Sequence, residues 1–386
     1  MRAWGVQDER ILGMMLAMRS ASRLVIGCMT GTSQDGVDAA AVRITGRGLG
    51  ARVGFEGGTS GGLRSETGAL RALAAGDGVS AEAVARSARA LGDDHVAVIR
   101  EIVERVGRPD LISVHGQTVF HRDGLNWQVM DPWGIARAFR VPVVFDLRGA
   151  DIAHGGRGAP ITPIADWMMF RDAHTSRCIV NLGGFCNITM LGAGSGVETI
   201  AARDVCACNQ VLDDVARRVL GCDFDGDGRR AMAGRVDEAA RDDLRARLMA
   251  QGEAHRSLGT GDEAHGWVDA WRERCRADDM AASACAAVGE VIGRGAAGAE
   301  EVYLAGGGVR NAALVAAVER TAKARTRALD VLGVPGAYRE AAAMAVLGAL
   351  CADGVAITLP GVTGVRGDAP MAGAWVFPDG PRGMDG

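Results

Sequence analysis

The 386-residue chain has no run of 18 apolar residues, and its charges nearly balance, with a formal net charge of −4. The first absence argues against a transmembrane helix. The small net charge gives no indication of a nucleic-acid partner or an anionic membrane partner. Aromatic residues are scarce at 4%, whereas glycine is abundant, with 56 residues. Much of the glycine lies in short loops between apolar segments, which favours an α/β protein with many tight turns.

The 9 cysteines are scattered, and they include no repeated C-x₂-C pair of the kind that binds zinc. This pattern favours reduced thiols and a cytoplasmic protein. Cys206 and Cys208 lie close together in sequence, and we favour a core or loop role for them over a metal or redox site. Residues 223–228, DFDGDG, lack the glutamate that a calcium loop carries at its twelfth position.

The segment Arg23–Ile44 predicts two apolar strands joined by a polar turn with glycine at both ends. Backbone N–H groups of such a turn can approach an anion because no Cβ intervenes. Thr32 and Ser33 add hydroxyl donors, and Asp35 and Asp38 add carboxylates that can hold Mg²⁺ or orient a water molecule. The turn therefore suits a nucleotide phosphate, and a plain hairpin turn is the alternative.

Polar residues also follow two predicted strands in the first half, at the strand ends where α/β sheets place their sites. These are His115 and Gln117 after residues 111–114, and Arg148 and Asp151 after residues 141–145. For His115, a purely structural histidine is the alternative. Apolar residues at helical spacing predict a helix over residues 63–106, and a strand near residues 374–377 is expected to return to the first half.

Residues 178–191 repeat the opening pattern of strand, glycine turn and strand, with Gly183 and Gly184 in the turn. Two such hairpins, about 150 residues apart, indicate two halves built alike that grip a phosphate chain between them. Asp204 is expected at the end of a strand or in a loop, and Asn209 near a helix start.

Two further positions in the second half are candidates for ligand contacts. Gly306, Gly307 and Gly308 follow a predicted strand at residues 301–305, where an open α/β half would cradle adenosine. Glu340 lies at the N-terminal end of an apolar helix. It is therefore either a favourable carboxylate at that helix end or a contact for a substrate.

The motifs MTGTSQDGVD, VHGQTVFH, FDLRGADIAHGGRGAP, NLGGFCNIT, AGGGVRN, YREAAAMA and LPGVTG are long, polar and collinear. With them the chain resembles the 1,6-anhydro-N-acetylmuramic acid kinases, and the levoglucosan kinases are close relatives. The resemblance implies an α/β protein with the two-lobed, actin-like sugar-kinase fold, which is ribonuclease H-like, each lobe being a mixed sheet flanked by helices. The expected parts are an N-terminal extension at 1–22, an N-terminal lobe at 23–140 with 357–386, and a C-terminal lobe at 141–356.

The resemblance implies a reaction that couples ring opening to phosphoryl transfer. Water attacks the anomeric carbon of a 1,6-anhydro sugar while the γ-phosphoryl group of ATP passes to the released O6. Glycosidases use a second carboxyl group to protonate the leaving oxygen. Here the phosphoryl group takes that part, so a single carboxylate base suffices. The implied cofactors are ATP and Mg²⁺, the implied partner is a small anhydro sugar, and the family suggests a cytoplasmic homodimer.

Matching the motifs position by position gives implied roles to individual residues. Asp204 matches the catalytic aspartate, and His115 lies in a motif that lines the cleft. The implied sugar contacts are Arg148, Glu340, Gln117 and Asp151. The implied ATP and phosphate contacts are Gly31, Thr32, Ser33, Gln34, Asp35, Gly36, Val37, Asp38, Asn181, Gly183, Gly184, Asn209, Gly306, Gly307 and Gly308, with Asp35 also as a Mg²⁺ ligand.

The chain departs from the family pattern Asp-x-Gly-Pro-Gly-Asn at residues 204–209, which read DVCACN. If the family's glycines need a positive φ or approach phosphate closely, the Cβ atoms of Cys206 and Cys208 would strain or block the loop. Three hypotheses follow. The motifs favour a kinase of 1,6-anhydro-N-acetylmuramic acid, and the others are a kinase of another anhydro sugar such as levoglucosan and a sugar- or nucleotide-binding protein without turnover.

Overall fold

The computed structural model describes residues 20–31, 36–122, 124–253, 258–259, 261–262, 264–366 and 370–378. Most of the predicted N-terminal extension and the turn residues Thr32, Ser33, Gln34 and Asp35 lie outside the described residues. The strands are β1 Ser22–Thr30, β2 Gly36–Thr45, β3 Arg52–Gly62, β4 Leu111–His115, β5 Gln117–Arg122, β6 Leu125–Val129, β7 Val143–Phe145, β8 Arg177–Leu182, β9 Phe185–Leu191, β10 Ala201–Ala207, β11 Glu301–Ala305, β12 Arg325–Ala328 and β13 Ala374–Val376. The α-helices are α1 Gly68–Ala74, α2 Ala81–Val106, α3 Trp133–Phe139, α4 Gly149–Ala153, α5 Pro163–Phe170, α6 Asn209–Val215, α7 Arg229–Ala233, α8 Glu238–Glu253, α9 His265–Trp271, α10 Ala277–Gly295, α11 Ala312–Ala322, α12 Arg339–Ala352 and α13 Pro360–Thr363.

The described residues form two compact units. The first contains those up to Met169 and those from Tyr338 onward, and the second is Phe170–Ala337. This division differs from the predicted lobe boundaries at 140/141 and 356/357. The strand β7 pairs with β4, and α12 packs on β1, so both belong to the first unit. A short buried strand does not itself indicate which sheet it joins, and for this reason the sequence placed β7 in the second lobe.

The two main sheets repeat one strand order. The first runs β13-β7-β4-β1-β2-β3 and the second β10-β9-β8-β11-β12. In each, the first strand forms an antiparallel hairpin with the second, a third strand extends the hairpin, and a later strand lies parallel on the other side. This order is ribonuclease H-like. The predicted fold, α/β with two mixed sheets flanked by helices, is confirmed.

Helices cover both faces of the first sheet at β1. Leu24 and Ile26 share a hydrophobic cluster with Leu91 of α2. Because side chains alternate along a strand, Gly27 belongs to the opposite face, where it meets α12. A Cβ on Gly27 would lie 2.0 Å from the carbonyl oxygen of Ala341. Burial on both faces explains why β1 is a continuous apolar run in the sequence.

The helix predicted over residues 63–106 is interrupted and forms α1 and α2. Gly76 has a φ of +90°, which ends the first helical segment. The Ser80 hydroxyl then accepts a hydrogen bond from the N–H of Ala83 at 3.2 Å and begins α2. The second helix ends at Gly107, which has a φ of +89°. The apolar periodicity therefore predicted helical structure in this segment but not the interruption between α1 and α2.

In the second unit, α10 is buried along most of its length and packs closely on α11. A Cβ on Gly289 would lie 2.3 Å from the Cβ of Ala317, and Gly293 is similarly close to α11. The adjoining core includes the side chains of Cys178, Cys186, Cys206 and Cys208. Two small residues thus set the distance between these helices.

His95 is a buried histidine in α2, with 0% of its surface exposed. Its Nδ1 lies 2.8 Å from the carbonyl oxygen of Leu91. Burial lowers the pKa of His95 from 6.5 to about 4. Between these values the unfolded chain binds a proton that the folded chain does not, so the free energy of unfolding falls as the pH drops through this window. The shift corresponds to about 3 kcal/mol.

We therefore expect His95→Leu to flatten the pH dependence of the free energy of unfolding between pH 6.5 and about pH 4. Urea denaturation at several pH values measures this slope, and comparing slopes removes any constant effect of the substitution. The exposed His154, changed to leucine, is the control and should keep the wild-type slope. The same slope in His95→Leu and in the wild type would show that another group controls acid stability.

Candidate functional site

The carboxyl ends of β1 and β4 bring the first predicted site residues together. The strands are parallel, with Met29 opposite His115. The Gln117 side-chain amide donates to the carbonyl oxygen of Gly31 at 3.3 Å, and the Thr30 hydroxyl donates to the carbonyl oxygen of His115 at 3.5 Å. Gln117 is only 1% exposed. The geometry supports a role for Gln117 at the base of the hairpin, whereas the sequence predicted a sugar contact.

Arg148 is joined to the same edge of the sheet. Its Nε and Nη2 lie 3.0 and 2.9 Å from Nε2 of His115, and its Nη1 donates to the carbonyl oxygen of Gly158 at 2.6 Å. A guanidinium group only donates, so Nε2 of His115 is the acceptor. Burial, and then the charge of Arg148, hold the pKa of His115 well below its ordinary value. The ring is therefore neutral at this position.

Asp151 fixes the loop that follows Arg148. It is 0% exposed. One carboxylate oxygen accepts the N–H of Gly158 at 2.7 Å, and the other accepts the hydroxyl of Thr363 at 2.7 Å. A Cβ on Gly156 would lie 2.2 Å from the same carboxylate. Both oxygens are engaged within the first unit, so the geometry supports a positioning role where the sequence predicted a sugar contact.

Glu340 lies in the first turn of α12, where the charges of Arg148 and Asp38 act on its carboxyl group. Burial raises its pKa, Arg339 and Arg148 oppose the rise, and the carboxylates of Asp166 and Asp38 add to it. The helix start is anchored by a buried ion pair, in which Arg339 Nε donates to Asp166 Oδ1 at 2.9 Å and Nη2 contacts Oδ2. The charges of Arg148 and Asp38, both in the first unit, therefore influence the carboxyl group of Glu340.

The second hairpin is bound to the start of α6. The strand β8 ends at Leu182 and β9 begins at Phe185, which leaves Gly183 and Gly184 as the turn. The N–H of Asn209 donates to the carbonyl oxygen of Gly183 at 3.0 Å. The Asn209 side chain donates to the carbonyl oxygen of Leu182 at 3.1 Å. The turn and the asparagine, which the sequence singled out separately, are one structural element.

The glycine triplet lies against this element. Gly306 has a φ of +84° and a ψ of 172°, a conformation that is essentially restricted to glycine. A Cβ on Gly306 would lie 2.8 Å from both Asn181 Oδ1 and the carbonyl oxygen of Leu182. A Cβ on Gly308 would lie 3.1 Å from Asn209 Oδ1. The described nucleotide-side candidates of the second unit therefore meet in one cluster: Asn181, Gly183, Gly184, Asn209, Gly306, Gly307 and Gly308.

Asp204 lies within β10, opposite Asn187 of β9. Its Oδ2 accepts the N–H of Leu258 at 2.8 Å, and the residue is half-buried. The strand pairing shifts between Asp204 and Cys206. Such bulges are frequent next to active sites because they redirect a side chain. The role of Asp204 as general base stays a prediction.

The cysteines that replace the family's glycines do not adopt a left-handed backbone conformation. Cys206 and Ala207 lie in β10, and Cys208 has a φ of −123°. All three side chains are 0% exposed and belong to the hydrophobic core. None of them requires the left-handed conformation, so the strain considered from the sequence does not arise. The Cβ atoms point into the core of the second unit.

The described ranges lack two kinds of feature. No group of three or more His, Cys, Asp or Glu side chains in them is arranged to hold a metal ion. No helix in the same ranges has both the length and the apolar character needed to span a bilayer. Asp35, the predicted Mg²⁺ ligand, lies outside these ranges. Its role therefore stays a prediction.

The sequence did not point to Gln128 or Asp166. The Gln128 side-chain nitrogen lies 2.6 Å from Nε2 of His115 and 3.3 Å from the hydroxyl of Thr118. Gln128 faces Thr118 because β5 and β6 form a hairpin whose pairing shifts between Thr118 and Phe120. The residue pattern of 125–129 could have predicted a strand. The bulge that sets the pairing register of this strand with β5 cannot be recognised from the sequence.

The family model described as anhydro-N-acetylmuramic acid kinase matches residues 23–377. The chain belongs to this family. A relative of that name from Acidiphilium cryptum is 34% identical over 365 residues, covering 92% of this chain and 98% of the relative. Another from Acidithiobacillus ferrooxidans is 35% identical over 364 residues, covering 88% and 89%. The family match includes residues of both units.

Solved structures give weaker likenesses than these relatives. Component A of (R)-2-hydroxyglutaryl-CoA dehydratase from Acidaminococcus fermentans has a TM-score of 0.45 and 12% identity, over 86% of this chain and 99% of that chain. An ROK family glucokinase from Streptomyces griseus, in complex with glucose and AMPPNP, has a TM-score of 0.37 and 13% identity, over 84% and 99%. The assignment to the anhydro-N-acetylmuramic acid kinase family does not depend on them.

Proposed function

We propose that this protein is an ATP-dependent anhydro-N-acetylmuramic acid kinase of cell-wall recycling. In the proposed reaction a water molecule forms a bond to C1 of the sugar, and the bond from C1 to O6 breaks. O6 takes the γ-phosphoryl group, ADP leaves, and Asp204 accepts the proton from the attacking water. The product is N-acetylmuramic acid 6-phosphate. The observation that carries the proposal is the family match over residues 23–377.

The geometry within each unit supports sugar contacts in the first unit and ATP contacts in the second. In the first unit, Arg148 and Glu340 are proposed to contact the sugar, and Gly31, Gly36, Val37 and Asp38 to border the phosphate hairpin. In the second, the cluster around Gly306 is proposed to contact ATP. Mg²⁺ would neutralise charge on the phosphates, and Asp35 is its proposed ligand.

Gly306→Ala tests the nucleotide side. A side chain there would meet Asn181 and Leu182, and the backbone conformation disfavours alanine, so kcat/KM for ATP should fall roughly 10- to 100-fold. The KM for the sugar should change little. Gly298→Ala is the matched control, since Gly298 also has a positive φ, of +99°, and its Cβ would meet no described atom within 4 Å. Equal kcat/KM for ATP in the two variants would remove Gly306 from the ATP contacts.

The activity itself is tested with purified protein, Mg-ATP and 1,6-anhydro-N-acetylmuramic acid. A coupled assay follows ADP release, and phosphorus NMR identifies the phosphorylated position. Sugar-dependent ADP release with a 6-phosphate product is the expected result. Sugar binding by calorimetry without turnover would replace the kinase with a binding protein.

Levoglucosan separates the two kinase hypotheses because it lacks the lactyl and acetamido groups. A much higher kcat/KM for 1,6-anhydro-N-acetylmuramic acid is expected, and the reverse order would reassign the substrate. The family suggests in addition a cytoplasmic homodimer, which we include in the proposal. Light scattering on the purified protein would reveal a monomer if the dimer is wrong.

A further inference from the structure

Three nitrogen atoms from two side chains converge on one ring nitrogen of His115. Arg148 contributes Nε at 3.0 Å and Nη2 at 2.9 Å, and Gln128 contributes Nε2 at 2.6 Å from Nε2 of His115. The ring is 2% exposed. The guanidinium nitrogens can only donate, so the neutral ring presents its lone pair at Nε2 to Arg148 and carries its proton at Nδ1.

The protonation state of His115 follows from the same surroundings. Burial, and then the neighbouring positive charge of Arg148, lower its pKa; a backbone hydrogen bond at Gly116 opposes them, and the half-buried His121 adds a smaller lowering effect. A protonated ring would place two cations in contact and remove the lone pair. His115 therefore remains an acceptor at the pH values at which enzymes of this kind are assayed.

Arg148 is held from a second direction by the loop that follows it. Its Nη1 donates to the carbonyl oxygen of Gly158, and the N–H of Gly158 is in turn held by Asp151. A guanidinium group is planar, with its N–H bonds in a fixed fork. Two acceptors on different nitrogens therefore define both the plane and the direction of the group.

We propose that His115 is a positioning residue of the sugar site, which acts by orienting the guanidinium group of Arg148. Its neutral ring supplies the acceptor that no cationic or apolar side chain at this position would supply. The inference rests on the proposed function, because Arg148 is the sugar contact in that proposal. His115 acts on the sugar only through Arg148 and does not itself contact the reacting atoms.

The kinetic test compares His115→Leu with His115→Gln. Leucine removes the acceptor, so the KM for the anhydro sugar should rise roughly 10- to 100-fold, the worth of a hydrogen bond to a charged group. The KM for ATP should stay close to the wild-type value. Glutamine can place an amide oxygen near the position of Nε2 and should recover a large part of the sugar affinity. An unchanged sugar KM in His115→Leu, or parallel changes for ATP and sugar, would overturn the proposal.

A second measurement does not require turnover or a stable His115 variant. Nitrogen NMR on protein with ¹⁵N-labelled histidine reports the tautomer and the hydrogen bonding of each ring. The His115 ring should be neutral with its proton on Nδ1, and Arg148→Met should shift its Nε2 signal toward that of a free acceptor nitrogen. A charged ring at pH 7, the other tautomer, or an unmoved signal would contradict the inference. Absence of ATP turnover in the wild type would instead count against the proposed function alone.

Discussion

Replacing Asp204 by asparagine is expected to lower kcat by roughly 10²- to 10⁴-fold, the usual contribution of a general base. Asparagine cannot take the proton from the attacking water. It has nearly the same shape, and its amide oxygen can still accept the N–H of Leu258, which lies 2.8 Å from Oδ2 of Asp204. The backbone pairing of β10 with β9 is not altered. Binding of ATP and of the sugar should therefore remain almost unchanged.

Asp172→Asn is the matched control for this substitution. Asp172 also accepts backbone N–H groups, from His174 at 2.9 Å and Thr175 at 3.2 Å, but it precedes β8 instead of lying on β10. It should retain wild-type kcat. Steady-state kinetics with both substrates, together with calorimetric binding, separates the chemical step from affinity. If Asp204→Asn turned over at nearly the wild-type rate, another group would have to be the base.

Gly27→Ala is expected to lower the free energy of unfolding by about 3 kcal/mol or more, at the upper end of the effects of overpacking. The new Cβ would lie 2.0 Å from the carbonyl oxygen of Ala341 and 2.3 Å from the backbone nitrogen of Ala345. Both are main-chain atoms of α12, so no side-chain rotation relieves the clash. The helix would have to move away from β1, and Glu340 at its start would move with it.

The control for this variant is Gly50→Ala. A Cβ on Gly50 would meet no described atom within 4 Å, so its effect should stay within about 0.5 kcal/mol. Urea denaturation gives the two stabilities. Hydrogen exchange of peptides from α12 shows whether the loss is located at the helix. Wild-type exchange in α12 of Gly27→Ala would mean that the strand and helix accommodate the methyl group, against our expectation.

The sequence predicted the segments whose local residue pattern matches the secondary structure that they adopt in the fold. Both hairpins carry apolar strands and a glycine turn, and the second turn, at Gly183 and Gly184, lies where predicted. The strand Glu301–Ala305 was predicted with the observed boundaries. In these segments, side-chain periodicity and turn residues alone determine the local structure.

Other features depend on partners that are distant in the chain, and the sequence did not indicate them. Asp151 is engaged by Thr363, which lies 212 residues away. The proposed orientation of Arg148 depends on His115, which comes from a different strand. The sequence motifs did identify Asp151, Arg148 and His115 as candidate site residues. Their contacts, however, follow from sheet order and strand register, which a single sequence does not specify.

The buried cysteines affect how the protein behaves once it unfolds. Cys28, Cys178, Cys186, Cys206, Cys208, Cys285 and Cys351 are all buried free thiols. In the folded protein, burial raises the pKa of Cys206, for example, and keeps the thiol protonated. Unfolding returns such groups to water, where a thiol pKa near 8.5 allows a fraction to ionise and react. Non-native disulfides would then trap the unfolded chain, so a reductant is needed for heat denaturation to be reversible.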